Sequence, residues 1–392
     1  MKEVFIVSMA RTPVGSFGGA LSKFPVIDLG AHVIRHAVER AGIQPDQVGE
    51  VFMGNVLQAN AGQAPARQAA LKAGLSESTP CTTVNKVCAS GMKAVMFGAQ
   101  SILLGDQDVV VCGGMESMSR APYYATDARW GSKYGNRQLV DAIVRDGLQD
   151  PYDGDMMGMC GEVCAEGYGF TREDQDAYAI ASYERAAAAT ENGWFSEEIV
   201  PVEIPQRKGD PVIFSEDEDV RKIKFEKVPT LRPAFKKDGT VTAANASNID
   251  DGAAAMVLMS GETMRELGLT PLAKILSYAD AAKEPQWFTT APAEAIPRAL
   301  DKAGKAISDI DLFEINEAFS VVALANMKDL GISHEQTNVF GGGVSIGHPI
   351  GVSGCRILCT LISALRVKDG TLGAAGICNG GGGASAMVIE RT

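Results

Sequence analysis

The sequence predicts an α/β protein in which one structural unit occurs twice, with a different region inserted in the chain. Segment 37–55 resembles segment 299–316, because in each a helix ends at Ala-Gly and a polar turn leads to an apolar strand ending in Asn. Segment 88–114 resembles segment 351–381 in the same way. Runs such as VVVCGG and GAAGIC are continuously apolar, which is typical of strands covered by helices on both faces.

The repeat predicts the order of the parts along the chain. We expect a first unit at 1–119 plus 248–271, an inserted loop domain at 120–247 and a second unit at 272–392. Within the insertion, 171–190 predicts a helix with Thr171 as its N-cap and acidic residues in its first turn. Residues 240–260 are small and apolar again and predict the last strand of the first unit.

Composition restricts the function. The 392 residues carry 36 Lys and Arg against 48 Asp and Glu, a net charge of −12, so no basic face for nucleic acid is expected. The N-terminus lacks a secretory signal pattern, and the uncharged stretch 371–389 has too many glycines for a spanning helix. We therefore expect a cytoplasmic protein without a membrane partner. Its eight cysteines lack zinc-site spacing, so neither a metal nor a disulfide framework is expected.

Two residues predict a nucleophile and its base. Cys88 lies where an apolar stretch meets a helical pattern, and a helix start lowers the pKa of a thiol. A buried packing cysteine explains its position equally well. His348 lies in a glycine-rich turn just before the second unit's copy of that helix. If the two units pack about a pseudo-twofold axis, Cys88 and His348 face each other as a nucleophile–base pair.

Two further polar residues lie at predicted strand ends. Cys378 ends a buried strand, and its counterpart in the first unit is Cys112. Asn316 ends another strand and is suited to hold a water or to donate to an oxyanion. Each residue alone fits a structural role, but active sites of α/β folds collect at such ends.

With these residues the sequence resembles the thiolase family. NKVCASGMKA is similar to the family's nucleophile motif, NEAF to its asparagine motif, GHPIGVSG to its histidine motif and CNGGGG to its second-cysteine motif. The resemblance implies duplicated βαβαβαββ units, a five-layered α-β-α-β-α core and an inserted loop domain for coenzyme A binding and oligomer contacts.

The resemblance also implies roles for individual residues. Cys88 would be acylated, His348 would take its proton, and Cys378 would be the second acid/base. Asn316 would hold a water that forms one oxyanion hole with His348, and the backbone N–H groups of Cys88 and Gly380 would form the other. The residues implied for coenzyme A binding are Leu148, Met157, Arg221, Ala243, Ala246, Ser247, Ala318 and Phe319.

The implied activity is reversible condensation of two acetyl-CoA molecules to acetoacetyl-CoA and CoA, by a homo-oligomer expected to be a tetramer. Coenzyme A is then a substrate, and no cofactor is expected. The alternative is a 3-ketoacyl-CoA thiolase for longer chains in fatty-acid degradation, and Met156 slightly favours a more apolar acyl chain. A decarboxylating ketoacyl synthase is disfavoured by Cys378. A non-catalytic acyl-CoA binding protein is disfavoured because all four catalytic positions are filled.

Overall fold

The structure is a computed structural model and describes residues 2–392. The strands are β1 (Val4–Arg11), β2 (Gly15–Ser16), β3 (Glu50–Gly54), β4 (Cys81–Val84), β5 (Val109–Ser117), β6 (Tyr123–Tyr124), β7 (Val140–Asp141), β8 (Val202–Ile204), β9 (Val212–Phe214), β10 (Asp250–Ser260), β11 (Ala273–Ala282), β12 (Leu312–Ile315), β13 (Leu372–Asn379) and β14 (Gly383–Arg391). The helices are α1 (Val26–Ala41), α2 (Pro65–Ala73), α3 (Ser90–Leu104), α4 (Met157–Tyr168), α5 (Arg172–Glu191), α6 (Gly261–Glu266), α7 (Pro292–Ala303), α8 (Ser320–Leu330) and α9 (Ser353–Val367).

Two groups of four strands have the same order and the same directions. In the first group β3 is parallel to β5, β5 is antiparallel to β10, and β10 is antiparallel to β1. In the second group β12, β13, β14 and β11 repeat this pattern. The groups join where β1 and β11 pair, with Val4 opposite Ile275, so one continuous sheet of ten strands results. The predicted duplicated α/β fold is confirmed.

A pair of serines repeats the same local detail in both groups. The register shifts between Ile6 and Ser8 in β1, and between Ile275 and Ser277 in β11. Ser8 Oγ donates to the carbonyl oxygen of Ala37, and Ser277 Oγ to that of Ala299, each at 2.6 Å. Each hydroxyl thus ties its bulged strand to the following helix, and the repeat extends to single hydrogen bonds.

Helices α3 and α9 form the central layer of the molecule. Helix α3 packs on β3, β5 and β10, α9 packs on β12 and β13, and the two helices contact each other. Helices α1 and α2 cover the outside of the first group, and α7 and α8 lie outside the second. The predicted five layers are therefore present. The stretch Val87–Leu104 is long and apolar enough to cross a membrane, but 61% of it is buried in this central layer.

Glycines allow the starts of α3 and α9 to cross closely. A Cβ on Gly91 would lie 2.8 Å from the backbone nitrogen of Cys355, and a Cβ on Gly354 would overlap the backbone nitrogen of Met92. Any larger residue at either position separates the helices. This crossing brings the turn before α3, with Cys88, next to the turn before α9, with His348.

The segment between β5 and β10 adds α4, α5 and two small hairpins, β6–β7 and β8–β9. The side chain of Thr171 accepts the N–H of Asp174, which confirms the predicted N-cap. The strand predicted over 240–260 begins only at Asp250. Before Asp250, the side chain of Asn245 accepts the N–H of Thr242 at 2.7 Å and closes a turn. A chain that turns here cannot pair continuously as a strand. The boundaries 1–119 plus 248–271, 120–247 and 272–392 stay a prediction.

Candidate active site

A strained turn precedes α3 and carries Cys88. Val87 has a φ of +48°, in the left-handed region that a β-branched residue rarely adopts. Three hydrogen bonds hold the turn: Asn85 Oδ1 accepts the N–H of Val87 at 2.9 Å, and Ser90 Oγ accepts the N–H of Lys86 at 2.8 Å and donates to the Val87 carbonyl at 2.6 Å. Such a conformation costs roughly 1–3 kcal/mol and persists where its surroundings determine it.

The lowered pKa predicted for Cys88 is wrong. Burial raises the pKa of this thiol to about 11, although the backbone N–H groups of Gly380 and of Cys88 itself point at the sulfur and oppose the shift. The helix begins at Ser90, two residues later, so its free N–H groups contribute less than expected. Cys88 is therefore a neutral thiol at pH 7 and needs a base to become a nucleophile.

His348 provides a neutral imidazole at the site. Burial, followed by the nearby charge of Arg356, lowers the pKa of His348 to about 3. The imidazole is thus uncharged at pH 7, with one ring nitrogen unprotonated. Its Nε2 lies 3.5 Å from Nδ2 of Asn316, and its Nδ1 lies 2.6 Å from Oγ of Ser353.

Two buried carboxylates fix the backbone of the histidine turn. Asp250 Oδ2 accepts the N–H of His348 at 2.7 Å, and Glu116 Oε2 accepts the N–H of Gly351 at 2.9 Å. Glu116 also holds the N–H groups of Val56 and Leu57 at 3.0 and 3.1 Å, in the loop after β3. The second unit's histidine turn is thus attached to the framework of the first unit.

Asn316 follows the last residue of β12, as predicted. Its backbone N–H donates to the carbonyl of Gly376 at 2.9 Å. Among the described residues 2–392, its side-chain Oδ1 is buried without a hydrogen-bond partner. One end of this carboxamide faces His348, and the other end fits a water, as the resemblance implies.

Cys378 lies in β13 and is fully buried. Burial, and then the neighbouring Cys88, raise its pKa well above the ordinary value. The adjacent turn brings the N–H of Gly380 to the sulfur of Cys88, while a Cβ on Gly380 would lie 3.3 Å from the sulfur of Met157. The structure therefore brings Cys88, Asn316, His348, Cys378 and Gly380 together.

A cavity of about 550 Å³ opens beside this group, with His348 in its wall. Six of the predicted coenzyme A residues also line it: Leu148, Met157, Ala243, Ala246, Ser247 and Phe319. Cys88 packs in the same apolar cluster as Leu148 and Ile350, which both line the cavity. The predicted catalytic group therefore lies beside the cavity, with His348 in its wall.

Two predicted coenzyme A residues are not in the cavity wall. Ala318 lies just behind it, where its carbonyl accepts the N–H of Ser247 at 3.0 Å. Arg221 is exposed and forms ion pairs with Glu216 at 3.1 Å and with Glu191 at 3.6 Å. The structure therefore does not place Arg221 at the cavity.

Sequence reasoning missed several residues of the site. Asp219, Asn248 and Ser16 line the cavity, and Asn248 Nδ2 donates to Asp219 Oδ2 at 2.8 Å. They come from three distant segments and leave no pattern in the sequence. Ser353 was also missed, although its alignment with Ser90 in the repeat was a usable signal.

No group of three or more His, Cys, Asp or Glu side chains in residues 2–392 is placed to hold a metal ion. All eight cysteines are free thiols.

The duplicated α/β fold, with a thiol, an imidazole and a carboxamide beside one cavity, is that of an enzyme. Sequence models of the thiolase N-terminal and C-terminal domains match residues 4–262 and 269–391. The chain belongs to the thiolase family.

Similar proteins cover the whole chain. An acetyl-CoA acetyltransferase of Gibberella zeae, named as cytosolic, is 56% identical over 100% of this chain and 99% of its own. One of Danio rerio, named as mitochondrial, is 54% identical over 100% and 92%. The crystal structure of Acat5 thiolase from Ascaris suum in complex with coenzyme A is 47% identical, has a TM-score of 0.95 and covers 100% of each chain.

Proposed function

We propose that the protein is an acetyl-CoA C-acetyltransferase that condenses two acetyl-CoA molecules to acetoacetyl-CoA and CoA, and catalyses thiolysis in reverse. The observation that carries the proposal is the grouping of Cys88, His348, Cys378 and Asn316 beside one cavity, with His348 in its wall. The names of relatives that match over the full chain support the substrate.

In the first half-reaction, His348 Nε2 takes the proton of the Cys88 thiol as the sulfur attacks the thioester carbon of acetyl-CoA. The imidazole is uncharged at pH 7 before this step, so its unprotonated nitrogen is available to the thiol proton. The N–H groups of Cys88 and Gly380 already point at the sulfur and stabilise the developing oxyanion. The carbon–sulfur bond to CoA then breaks, and the Cys378 thiol protonates the leaving CoA thiolate.

In the second half-reaction, the Cys378 thiolate removes a proton from the methyl group of a second acetyl-CoA. Because the pKa of Cys378 is raised, its thiolate is a strong base. The resulting carbanion attacks the acetyl carbonyl on Cys88, and the carbon–sulfur bond breaks to release acetoacetyl-CoA. The Cys88 thiolate takes back the proton held by His348, and a water on Asn316, together with His348, stabilises the enolate oxygen.

Leu148, Met157, Ala243, Ala246, Ser247 and Phe319 are proposed to contact coenzyme A, because they line the cavity beside the catalytic group. Ala318 supports Ser247 from behind through its carbonyl. The proposal includes no resident cofactor or metal, with CoA as a substrate. Full activity after exhaustive dialysis against a chelator is expected, and a loss restored by an added metal would contradict this.

Assembly as a homotetramer is part of the proposal. Tyr123, Trp130, Tyr134 and Leu139, around the β6–β7 hairpin, are between 62% and 97% exposed. So many large apolar side chains in one surface segment are typical of an interface. Light scattering on the wild type should give a tetramer, and Trp130→Ser with Tyr134→Ser should give smaller species.

A cytoplasmic location is proposed, and the name of the Gibberella zeae relative supports it, whereas the Danio rerio relative is named as mitochondrial. Cell fractionation decides between the two compartments. A role in fatty-acid metabolism follows from the proposed substrates, and the substrate assays described next test it.

The deciding experiment is thiolysis of acetoacetyl-CoA with CoA by the purified protein, followed across 3-ketoacyl chain lengths. We expect kcat/KM to be highest at four carbons and lower at eight and beyond. Met156 in the cavity wall is one apolar side chain, and a single methylene-sized contact discriminates by only about 1–3 kcal/mol. A steady rise from four to ten carbons would instead favour a degradative 3-ketoacyl-CoA thiolase.

A further inference from the structure

The side chain of Ser353 forms a short chain of hydrogen bonds with the histidine turn. Its Oγ lies 2.6 Å from Nδ1 of His348 and 3.1 Å from the carbonyl oxygen of Pro349. Ser353 is the first residue of α9 and is fully buried, and His348 is only 5% exposed. Solvent therefore does not compete for these bonds.

The donors and acceptors favour one arrangement. The Ser353 hydroxyl is placed to donate its single proton to the carbonyl oxygen of Pro349, which also accepts the N–H groups of Val352 and Ser353. The hydroxyl oxygen then accepts from the ring, which places the imidazole proton on Nδ1. At the other end of the ring, Asn316 Nδ2 only donates, and it faces Nε2 at 3.5 Å. The contacts at both ends of the ring thus favour a lone pair on Nε2.

No carboxylate takes the place of this hydroxyl. Of the described acids near the turn, Asp250 accepts the backbone N–H of His348, and Glu116 accepts that of Gly351. Both carboxylates orient the backbone of the turn and form no hydrogen bond to the ring. The orientation of the ring therefore depends on Ser353 and Asn316.

The first unit contains the same serine with a different use. Ser90 is the first residue of α3, and its hydroxyl binds only backbone groups, the N–H of Lys86 and the carbonyl of Val87. At the equivalent place in the second unit, the partner of the Ser353 hydroxyl is the imidazole of His348 and not a backbone N–H group. A serine that closes a turn in one unit thus orients the base in the other.

We infer that Ser353 is a positioning residue that fixes the neutral imidazole of His348 with its proton on Nδ1, and so keeps Nε2 free as the base. The role of His348 as a base rests on the proposed function, but the tautomer of the ring can be measured without turnover. Without the hydroxyl, Nδ1–H loses its buried acceptor and the ring is free to rotate or to change tautomer.

The test uses the full-length protein labelled with ¹⁵N-histidine, which contains only four histidines. Solid-state NMR reports which ring nitrogen carries the proton, and the signal of His348 is assigned by its loss in His348→Asn. We expect Nδ1–H in the wild type and in Ser353→Thr, and a mixture or Nε2–H in Ser353→Ala. Ser90→Ala is the matched control and should leave the His348 signal unchanged.

Kinetics give the second readout. Ser353→Ala should lower kcat for thiolysis about 10²-fold, within the range of a general base, with little change in KM. Ser353→Thr should recover most of this loss. If Ser353→Ala does not fold, Ser353→Cys, which keeps the size but is a weak hydrogen-bonding partner, replaces it.

A wild-type proton on Nε2, or an unchanged tautomer in the folded Ser353→Ala or Ser353→Cys protein, would overturn the inference. A wild-type protein without thiolysis activity but with the proton on Nδ1 would overturn the proposed function alone. The two failures are therefore distinguishable.

Discussion

The turns that precede α3 and α9 lie at the same place in the two units and differ in chemistry. The offset of 263 residues that relates Ser90 to Ser353 also relates Cys88 to Gly351 and Asn85 to His348. In the first unit the turn carries the thiol, and in the second it carries the imidazole at a different position. A Cβ on Gly351 would lie 2.5 Å from Glu116 Oε2, so the second unit has no space for a side chain where the first has its thiol.

The duplicated fold carries an asymmetric site. The strands, the bulge serines and the glycine crossing are equivalent and hold the two turns together. The reactive groups are unequal, and each unit contributes what the other lacks. The predictions below test which equivalent positions differ in chemistry and which share only a structural role.

The largest contrast is expected between Cys378 and Cys112, which the sequence repeat aligns but which pack in different core clusters of the structure. Cys378→Ser should lower kcat by about 10²–10⁴ because it removes the second acid/base, while Cys88 remains open to acylation. Cys112→Ser should leave kcat close to the wild type. It should instead lower the free energy of unfolding by about 1–3 kcal/mol, because a hydroxyl is buried where Cys112 is 0% exposed. The reverse ranking in kinetics and denaturant unfolding would show that the roles of the units are exchanged.

A second contrast is between His348 and Asn85, its equivalent in the first unit. Only His348 can make the stability of the protein sensitive to acid, because Asn85 does not titrate. Because its folded-state pKa is lowered to about 3, the stability from its neutral burial is complete above pH 6.5 and is lost as the pH falls towards 3. Between pH 7 and pH 4 this loss is roughly 3 kcal/mol. Urea unfolding of His348→Asn should show a smaller decrease than the wild type.

Cys88→Ala is the matched control for that measurement, because it removes the proposed nucleophile and keeps the imidazole. Its free energy of unfolding should depend on pH between 7 and 4 as in the wild type. Equal pH dependence in His348→Asn and the wild type would contradict the assignment of a neutral, buried imidazole.

The third contrast tests equivalence rather than difference. Gly91→Ala and Gly354→Ala should each destabilise the protein by about 1–3 kcal/mol, because a Cβ at either position meets the backbone of the opposing helix. Ala89→Gly is the control, because it adds no atoms at the helix crossing. Gly381→Ala is not suitable as a control, because the positive φ of Gly381 would add backbone strain. If thermal unfolding shows no loss of stability for Gly91→Ala or for Gly354→Ala, the two helices do not contact each other equally closely at the two glycines.

The smallest effect is expected for Arg221→Ala. Arg221 pairs with Glu191 and Glu216 outside the cavity, so its removal should leave KM for CoA nearly unchanged. Ser247→Ala, in the cavity wall, should raise KM more. A larger increase in KM for Arg221→Ala than for Ser247→Ala would return Arg221 to the binding site.

The repeat made much of this fold predictable from the sequence. Ala-Gly helix ends, apolar strands and the matching Ser-Gly pairs locate both units, and the ends of strands and helices locate Cys88, His348, Asn316 and Cys378. The pKa of Cys88 was not predictable, because it depends on how apolar groups from both units enclose the sulfur. The cavity wall formed by Asp219, Asn248 and Ser16 was not predictable either, because these residues meet only in the folded chain.

The most direct test of the account is to identify the acylated residue. The protein is mixed with acetyl-CoA in the absence of free CoA, quenched in acid, digested and analysed by mass spectrometry. We predict one acetyl thioester, on the peptide that contains Cys88, formed in Cys378→Ser as well and absent in Cys88→Ala. Acetylation at Cys378 or another cysteine, or thiolysis activity retained in Cys88→Ala, would contradict the central claim that the first unit supplies the nucleophile.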